Sequence, residues 1–244
     1  MNNSLRTPQV IRKTFEEVEK RIRKAAMDVG RNPGEIRLVA VTKTQPVSVI
    51  QSVIDAGATD LGESYVEEAI PKIGAMANNA NIRWHMIGHI QSRKAHSVCE
   101  NFQFVHSLDS LKLANRLSQF STFKGKALPV WLEFNVGGEE SKSGWDLSDE
   151  KNWDVISSDI EKILPLPGLK ILGPMTVPPY SPYPENSRKY YRCLKEFQTM
   201  IIHRFGLQGF TELSMGMSSD FEVAIQEGAT CVRIGQAILG PRGG

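Results

Sequence analysis

Lys43 stands just after a run of apolar, mostly β-branched residues, Ile36 to Val41 (IRLVAV), in the string VTKTQP. A run of that composition predicts a strand buried on both faces. An amine at the C-terminal mouth of such a core is poorly hydrated, which lowers its pKa and leaves more of the neutral nucleophile. Taken alone, Lys43 also fits a surface residue leaving a strand. The second chemical feature is Leu213-Ser-Met-Gly-Met-Ser-Ser-Asp220, followed by a helical pattern and then Cys231-Val-Arg-Ile-Gly-Gln236. Gly216 permits close backbone approach, Ser218 and Ser219 offer hydroxyls, and Gly235 and Gln236 offer amides, a donor set suited to phosphate. Ser218 also fits a plain helix cap and Gly235 a plain turn, and either role is compatible with phosphate binding. A reactive lysine opposite a phosphate cup suits a Schiff-base aldolase or a protein carrying pyridoxal phosphate.

Other polar residues carry weaker signals. His85 and His89 flank Gly88 near the end of a predicted strand and raise the question of a metal, but on a strand the two need not converge and no third ligand is evident. We expect no metal. Glu133 and Asn135 alternate on one face of another predicted strand, where they can point inward as a satisfied buried network. Glu139, Lys142 and Ser143 lie in a loop to which the residues alone assign no task.

The elements that must position these groups follow from periodicity. Ile11, Phe15, Val18, Ile22, Ala25 and Val29 recur at helical steps, with Thr7 as cap, Pro8 in the first turn and Gly30 as stop. Strands are expected at 36–41, 59–62, 82–87, 104–106, 128–136, 168–175, 211–213 and 230–234, separated by helical patterns at 49–57, 64–77, 92–100, 108–120, 153–164, 188–205 and 221–227. Pro71 falls inside the second of these helices and should kink or split it. The Pro-rich run Pro174 to Pro184 reads as a long βα loop. Eight strands alternating with helices in 244 residues favour one closed (β/α)8 TIM barrel over an open sheet, and put both chemical features on its C-terminal face. The reading is of a single domain over residues 1–244, with the first helix as an addition to the barrel.

Composition excludes several classes. Lys and Arg number 29 against 27 acidic residues, a net of +2, so neither nucleic acid nor an anionic membrane is an expected partner. Cys99, Cys193 and Cys231 are an odd count without C-x-x-C or metal-site spacing, and read as reduced thiols in a cytoplasmic protein. Met1 to Pro8 is short and polar, neither a signal peptide nor an anchor. No apolar run approaches the ~20 residues that span a bilayer.

The strings VTKTQP, GESYVEE (from Gly62), WHMIGHIQSRK (from Trp84), VHSLDS (from Val105), NVGGEESKSG (from Asn135), LSMGMSSDFEVAI (from Leu213) and VRIGQAILG (from Val232) resemble the pyridoxal phosphate homeostasis protein family along the whole chain, in order. That resemblance implies an α/β barrel of the alanine racemase N-terminal-domain type (fold type III of the pyridoxal phosphate proteins). It implies pyridoxal 5′-phosphate as cofactor, held as an internal aldimine on Lys43, with a phosphate cup from Ser218, Gly235 and the amide of Gln236, helped by Ser214. It also implies Arg233 as partner of the pyridine nitrogen, and a charged guanidinium there disfavours ring protonation, making the ring a poorer electron sink. His89 is a candidate to line the pocket. Ser64 replaces the asparagine usual in the family, which puts direct contact from that position in question. Gln236 replaces a usual threonine.

Related racemases add a β-rich domain that closes the site. Only ten residues follow the last predicted strand, so none is expected here, and no second acid/base for two-base racemisation is evident. The function that the resemblance implies is a carrier that keeps intracellular pyridoxal phosphate available and passes it to dependent apoenzymes, rather than an efficient enzyme; without the second domain's dimer interface, a monomer is expected. The competing readings are a slow pyridoxal-phosphate-dependent amino-acid racemase or lyase, and a cofactor-free Schiff-base aldolase.

Overall fold

In the computed structural model residues 6–241 are described; Met1–Leu5, part of the polar stretch considered above, lie outside them, as do residues 242–244. The strands are β1 (Arg37–Val41), β2 (Asp60–Glu63), β3 (Arg83–Met86), β4 (Phe104–Leu108), β5 (Leu128–Asn135), β6 (Trp145–Asp146), β7 (Leu169–Thr176) and β8 (Cys231–Ile234). Every pairing is parallel, running from β8 through β1, β2, β3, β4 and β5 to β7. Parallel strands joined by helices place helices outside and leave the staves buried on both faces, which is why β1 and β8 read as apolar runs.

The ring closes differently from the sequence expectation. No regular strand forms over Thr211–Leu213; a single bridge at Ser214 pairs with Met175 of β7 on one side and Cys231 of β8 on the other. Ser214 N donates to Pro174 O at 3.1 Å, and Met215 N donates to Cys231 O at 3.0 Å. The stave is cut short because Gly216, two residues on, turns at φ 97°. Its approach to β7 depends on Gly173, where a Cβ would fall 1.8 Å from the Glu212 carbonyl oxygen. A register shift between Val130 and Trp131 places Gly173 at that contact, a bulge in β7. The two-residue β6, which the sequence did not announce, pairs with the end of β5 through Phe134 and Asn135.

Helices α1 (Pro8–Met27), α2 (Val47–Asp55), α3 (Val66–Ala75), α4 (Ala95–Asn101), α5 (Leu111–Phe123), α6 (Trp153–Ile163), α7 (Arg188–Phe205), α8 (Phe221–Gln226) and α9 (Gln236–Leu239) complete the fold. Thr7 caps α1, which buries Ile11, Phe15, Val18 and Ile22 on one stripe against α2, α8 and α9. This additional helix lies over the β1–β8 seam, tied by Thr14 Oγ1 donating to Ile238 O at 2.7 Å. Pro71 does not split α3, which runs through it from Val66 to Ala75. Among the described residues no helix is long and apolar enough to cross a membrane.

The Gly173 contact makes a direct prediction. Gly173→Ala must displace the Glu212 backbone, and urea unfolding should show a loss of at least about 2 kcal/mol; an unchanged midpoint would mean that the β7 contact is not needed for closure.

Candidate functional site

Lys43 sits on a strained turn. Gln45 N donates to Thr42 O at 3.1 Å, so Lys43 and Thr44 are its middle residues. Thr44 has φ 64°, a conformation rare for a β-branched residue and costing on the order of 1–3 kcal/mol. The cost is met by neighbours. Thr44 N donates to Glu68 Oε1 at 2.6 Å, and Glu68 is paired with Lys72 Nζ at 2.5 Å. Lys72 Nζ also reaches Glu63 Oε1 at 2.9 Å, Glu63 Oε2 at 3.0 Å and Thr42 O at 3.0 Å. Thr42 Oγ1 donates to Glu63 Oε1 at 2.7 Å. Glu63 is 0% and Lys72 6% exposed, so these charges hold one another inside the protein. Burial pushes the Glu63 carboxyl up, opposed by the hydrogen bonds from Thr42 and Lys72.

The half-buried Lys43 side chain lines a cleft of about 590 Å³ with Ser64, Tyr65, Gly88, His89 and Arg93. Ser64 follows β2 and packs so closely on Gly88 that a Cβ there would lie 2.3 Å from Ser64 O. His89 stands on the exposed rim, its Nδ1 2.8 Å from Asp109 Oδ2 and 3.1 Å from Ser143 Oγ. The structure therefore gathers Lys43, Ser64 and His89 on one wall.

The expected phosphate residues lie where β1 and β8 adjoin. Ala40 is in register with Ile234, and a Cβ on Gly235 would be 3.2 Å from Val41 Cβ, so Gly235 and Gln236 emerge beside the strand that leads to Lys43. Ala237 N donates to Ser218 Oγ at 3.1 Å, tying the loop after the seventh stave to the first turn of α9. Ser218 keeps its own proton to donate. Asp220 shapes the first loop, accepting from Met217 N at 2.8 Å and from Ser187 Oγ at 2.9 Å. Hydroxyl and amide donors beside an amine fit a phosphorylated aldehyde.

Arg233 points into the barrel and is 5% exposed. It donates to Ser214 Oγ and, at 2.8 Å, to Thr176 O. Ser214, expected near the phosphate, is instead engaged in the interior. Its Oγ lies 2.7 Å from His106 Nδ1; His106 Nε2 lies 2.9 Å from His85 Nδ1; His85 Nε2 lies 2.8 Å from Asp60 Oδ1. Arg83 completes the line, donating to Asp60 Oδ2 at 2.5 Å. Phe104 stacks on His85 and Trp131 on His106, with centroids 4.4 and 4.1 Å apart. Burial holds both imidazoles below their ordinary range and therefore neutral, and also lowers the Arg233 guanidinium. Desolvation acts to raise the Asp60 carboxyl, but hydrogen bonds from His85 and Arg83 outweigh it and hold it at about 2. His85 and His89 thus serve separate places, and among the described residues no cluster of three or more His, Cys, Asp and Glu is placed to hold a metal.

Glu133 faces the same mouth with Oε2 buried and unpartnered, and burial, then Asp109, pushes its carboxyl up to about 7. Asn135 is not its hydrogen-bond partner but pins the next loop, donating to Glu139 O at 2.8 Å. Sequence reasoning missed Asp60, His106, Glu63, Glu68 and Lys72 as parts of the site. Only Glu68 and Lys72 left a signal, their i,i+4 spacing on α3.

Comparison with known proteins places this geometry. The family description "Alanine racemase, N-terminal domain" matches residues 16–243. The pyridoxal phosphate homeostasis protein of Pseudomonas aeruginosa is 39% identical over 232 residues, covering 95% of this chain and 96% of that protein. The PipY protein of Synechococcus elongatus, solved with PLP bound, superposes with TM-score 0.81 at 28% identity, covering 94% of this chain and 100% of that one. An alanine racemase of Clostridium difficile shares the fold, with TM-score 0.69 at 15% identity, over 97% of this chain and 58% of that one.

Two outcomes follow from the buried charges. Lys72→Ala leaves Glu63 buried without its cation and should cost about 3–5 kcal/mol in urea unfolding, much of it restored by adding Glu63→Gln; a double variant no more stable than Lys72→Ala would show that the stranded Glu63 charge is not the source of the loss. For Glu133, a folded pKa of about 7 lies above the ordinary glutamate range, so folding favours the protonated form. Its contribution is full below that range and is lost as pH rises through 7. Glu133→Gln should therefore gain stability relative to wild type between pH 5 and 8, on the order of 1–2 kcal/mol; a flat difference across that interval would refute it.

Proposed function

Because the chain belongs to the pyridoxal phosphate homeostasis protein family, built on the alanine racemase N-terminal-domain fold, we propose that it binds pyridoxal 5′-phosphate (PLP) covalently through Lys43 and keeps intracellular PLP available but unreactive. The observation that carries the reading is the placement of the Lys43 turn beside Gly235 and Gln236 at the start of α9, with Ser218 bound to that first turn through Ala237. When bound, PLP supplies an aldehyde that condenses with a primary amine with loss of water, and a ring that can draw electrons from an attached amino acid.

Each residue then has a defined task. Lys43 gives the amine, held at the mouth of the barrel by the Glu63–Lys72–Glu68 cluster. Ser218 and the amides of Gly235 and Gln236 hold the phosphate. Ser64 and His89 line the pocket on the Lys43 wall, with Ser64 too short to copy both functions of an amide. Arg233 presents a guanidinium to the ring nitrogen, and Ser214 acts on the cofactor through Arg233.

A buried guanidinium with fixed partners keeps its protons, so the ring nitrogen facing it stays unprotonated. That weakens the electron sink needed for racemisation or lysis and favours a carrier over an efficient enzyme. The carrier is proposed to be one barrel domain over residues 1–244, acting in the cytoplasm as a monomer and handing PLP to dependent apoenzymes.

Borohydride treatment of the PLP-loaded protein, followed by peptide mass mapping, tests the assignment. The phosphopyridoxyl mass should sit on Lys43, and Lys43→Ala should trap none; protein that takes up no PLP, or an adduct on another lysine, would overturn it. Turnover of alanine or serine enantiomers that depends on Lys43 would instead favour the slow racemase.

A further inference from the structure

The barrel interior carries more polar machinery than the proposed PLP contacts use. From the mouth inward, Arg233, Ser214, His106, His85 and Asp60 form one unbroken hydrogen-bonded line, with each gap between heavy atoms from Ser214 to Asp60 at 2.7–2.9 Å. Its far end, Asp60, opens on the opposite face, in a cleft of about 690 Å³ shared with Arg37, Arg83 and Glu212. A core position filled by two histidines and a carboxylate costs desolvation that apolar side chains would avoid. Such a line needs every partner satisfied to be tolerated at all.

We propose that Asp60, His85 and His106 are positioning residues that act through Ser214 to fix Arg233, so that a carboxylate on one face of the barrel sets the group that meets the cofactor ring on the other. This rests on the PLP reading above for the role of Arg233.

The direction of every bond follows from the ends. Arg233 has only donors, and ionised Asp60 has only acceptors. His85 must therefore donate from Nε2 to Asp60, which leaves its Nδ1 as acceptor. His106 then donates from Nε2 to His85 and accepts at Nδ1, so the Ser214 hydroxyl donates to His106 and turns its lone pairs to Arg233. No other arrangement of two neutral imidazoles satisfies all the links with Asp60 charged. Burial lowers both rings; on His85 it is joined by Arg37 and Arg83 against the pull of Asp60 toward a positive charge, and on His106 by Arg37 and Arg233. The line is thereby locked in one sense, and the guanidinium is held by an acceptor of fixed orientation as well as by Thr176 O.

Substituting Asp60→Asn keeps the shape but offers His85 either a donor or an acceptor. The line can then run in both senses, with the opposite ring tautomers and a Ser214 oxygen that receives two donors.

The test is nitrogen NMR of ¹⁵N-histidine-labelled full-length protein, unloaded and PLP-loaded, with a PLP titration alongside. In wild type, both buried rings should be neutral Nε2–H tautomers at neutral pH. In Asp60→Asn, Nδ1–H signals should appear, PLP affinity should fall about five-fold, and the visible spectrum of the loaded protein should shift, while borohydride still traps the adduct on Lys43. A purely packing role for Asp60 would lower the melting temperature and leave tautomers and spectrum unmoved. A wild-type ring protonated on Nδ1 or on both nitrogens overturns the proposal, and this readout does not depend on the variant folding. So does an Asp60→Asn protein with wild-type ring signals and wild-type affinity. If wild type takes up no PLP, the functional reading falls separately, and the unloaded spectra still decide the direction of the line.

Discussion

A cation buried in a barrel core is the constraint from which much of this structure follows. The guanidinium of Arg233 cannot be left without partners, since an unpaired charge in that interior would cost several kcal/mol. Its position on β8 fixes what must surround it: a carbonyl from β7, a hydroxyl from the stave between them, and behind that hydroxyl an acceptor that is itself satisfied. The two histidines and Asp60 are the continuation of that requirement toward solvent. Packing around them is aromatic, with Phe104 and Trp131 covering the rings while leaving their nitrogens to the line.

The seventh stave shows how closure and chemistry share residues. One serine both bridges β7 to β8 by backbone and supplies the hydroxyl for Arg233. A longer regular strand would delay the turn at Gly216 and carry the Ser218 loop away from Ala237. The stave is therefore short where the Ser218 loop begins, and the close contact allowed by Gly173 makes up for pairing that a full strand would have supplied.

On the other wall, strain and charge are coupled. Thr44 takes a backbone conformation that glycine would adopt freely, and the amide it exposes is captured by Glu68. Lys72 binds Glu68, Glu63 and the Thr42 carbonyl together, so the turn carrying Lys43 is fastened to β2 and α3 at once. Lys43 is held on a rigid support while its side chain reaches the cleft.

Much of this was legible in the residues. Alternating apolar runs and helical stripes determined an eight-stave barrel with an added first helix, because burial on both faces of a parallel sheet leaves a composition that is read directly from the chain. The position of Lys43 after the first run, and the glycine- and serine-rich loops near the end, placed an amine and a set of hydroxyl and amide donors on one rim by the same logic. What the chain order did not contain was proximity between residues far apart in it. Asp60, His85, His106, Ser214 and Arg233 come from five staves, and the line they form joins residues far apart in sequence; strand pairing and closure of the ring bring their side chains to one axis. The same holds for Glu63 with Lys72, and for the bridge that replaced an expected strand at 211–213. Local periodicity is written in the sequence because it reflects each element's own burial. Which polar groups meet inside was decided by the tertiary structure, since a buried charge must find its partners wherever the fold delivers them.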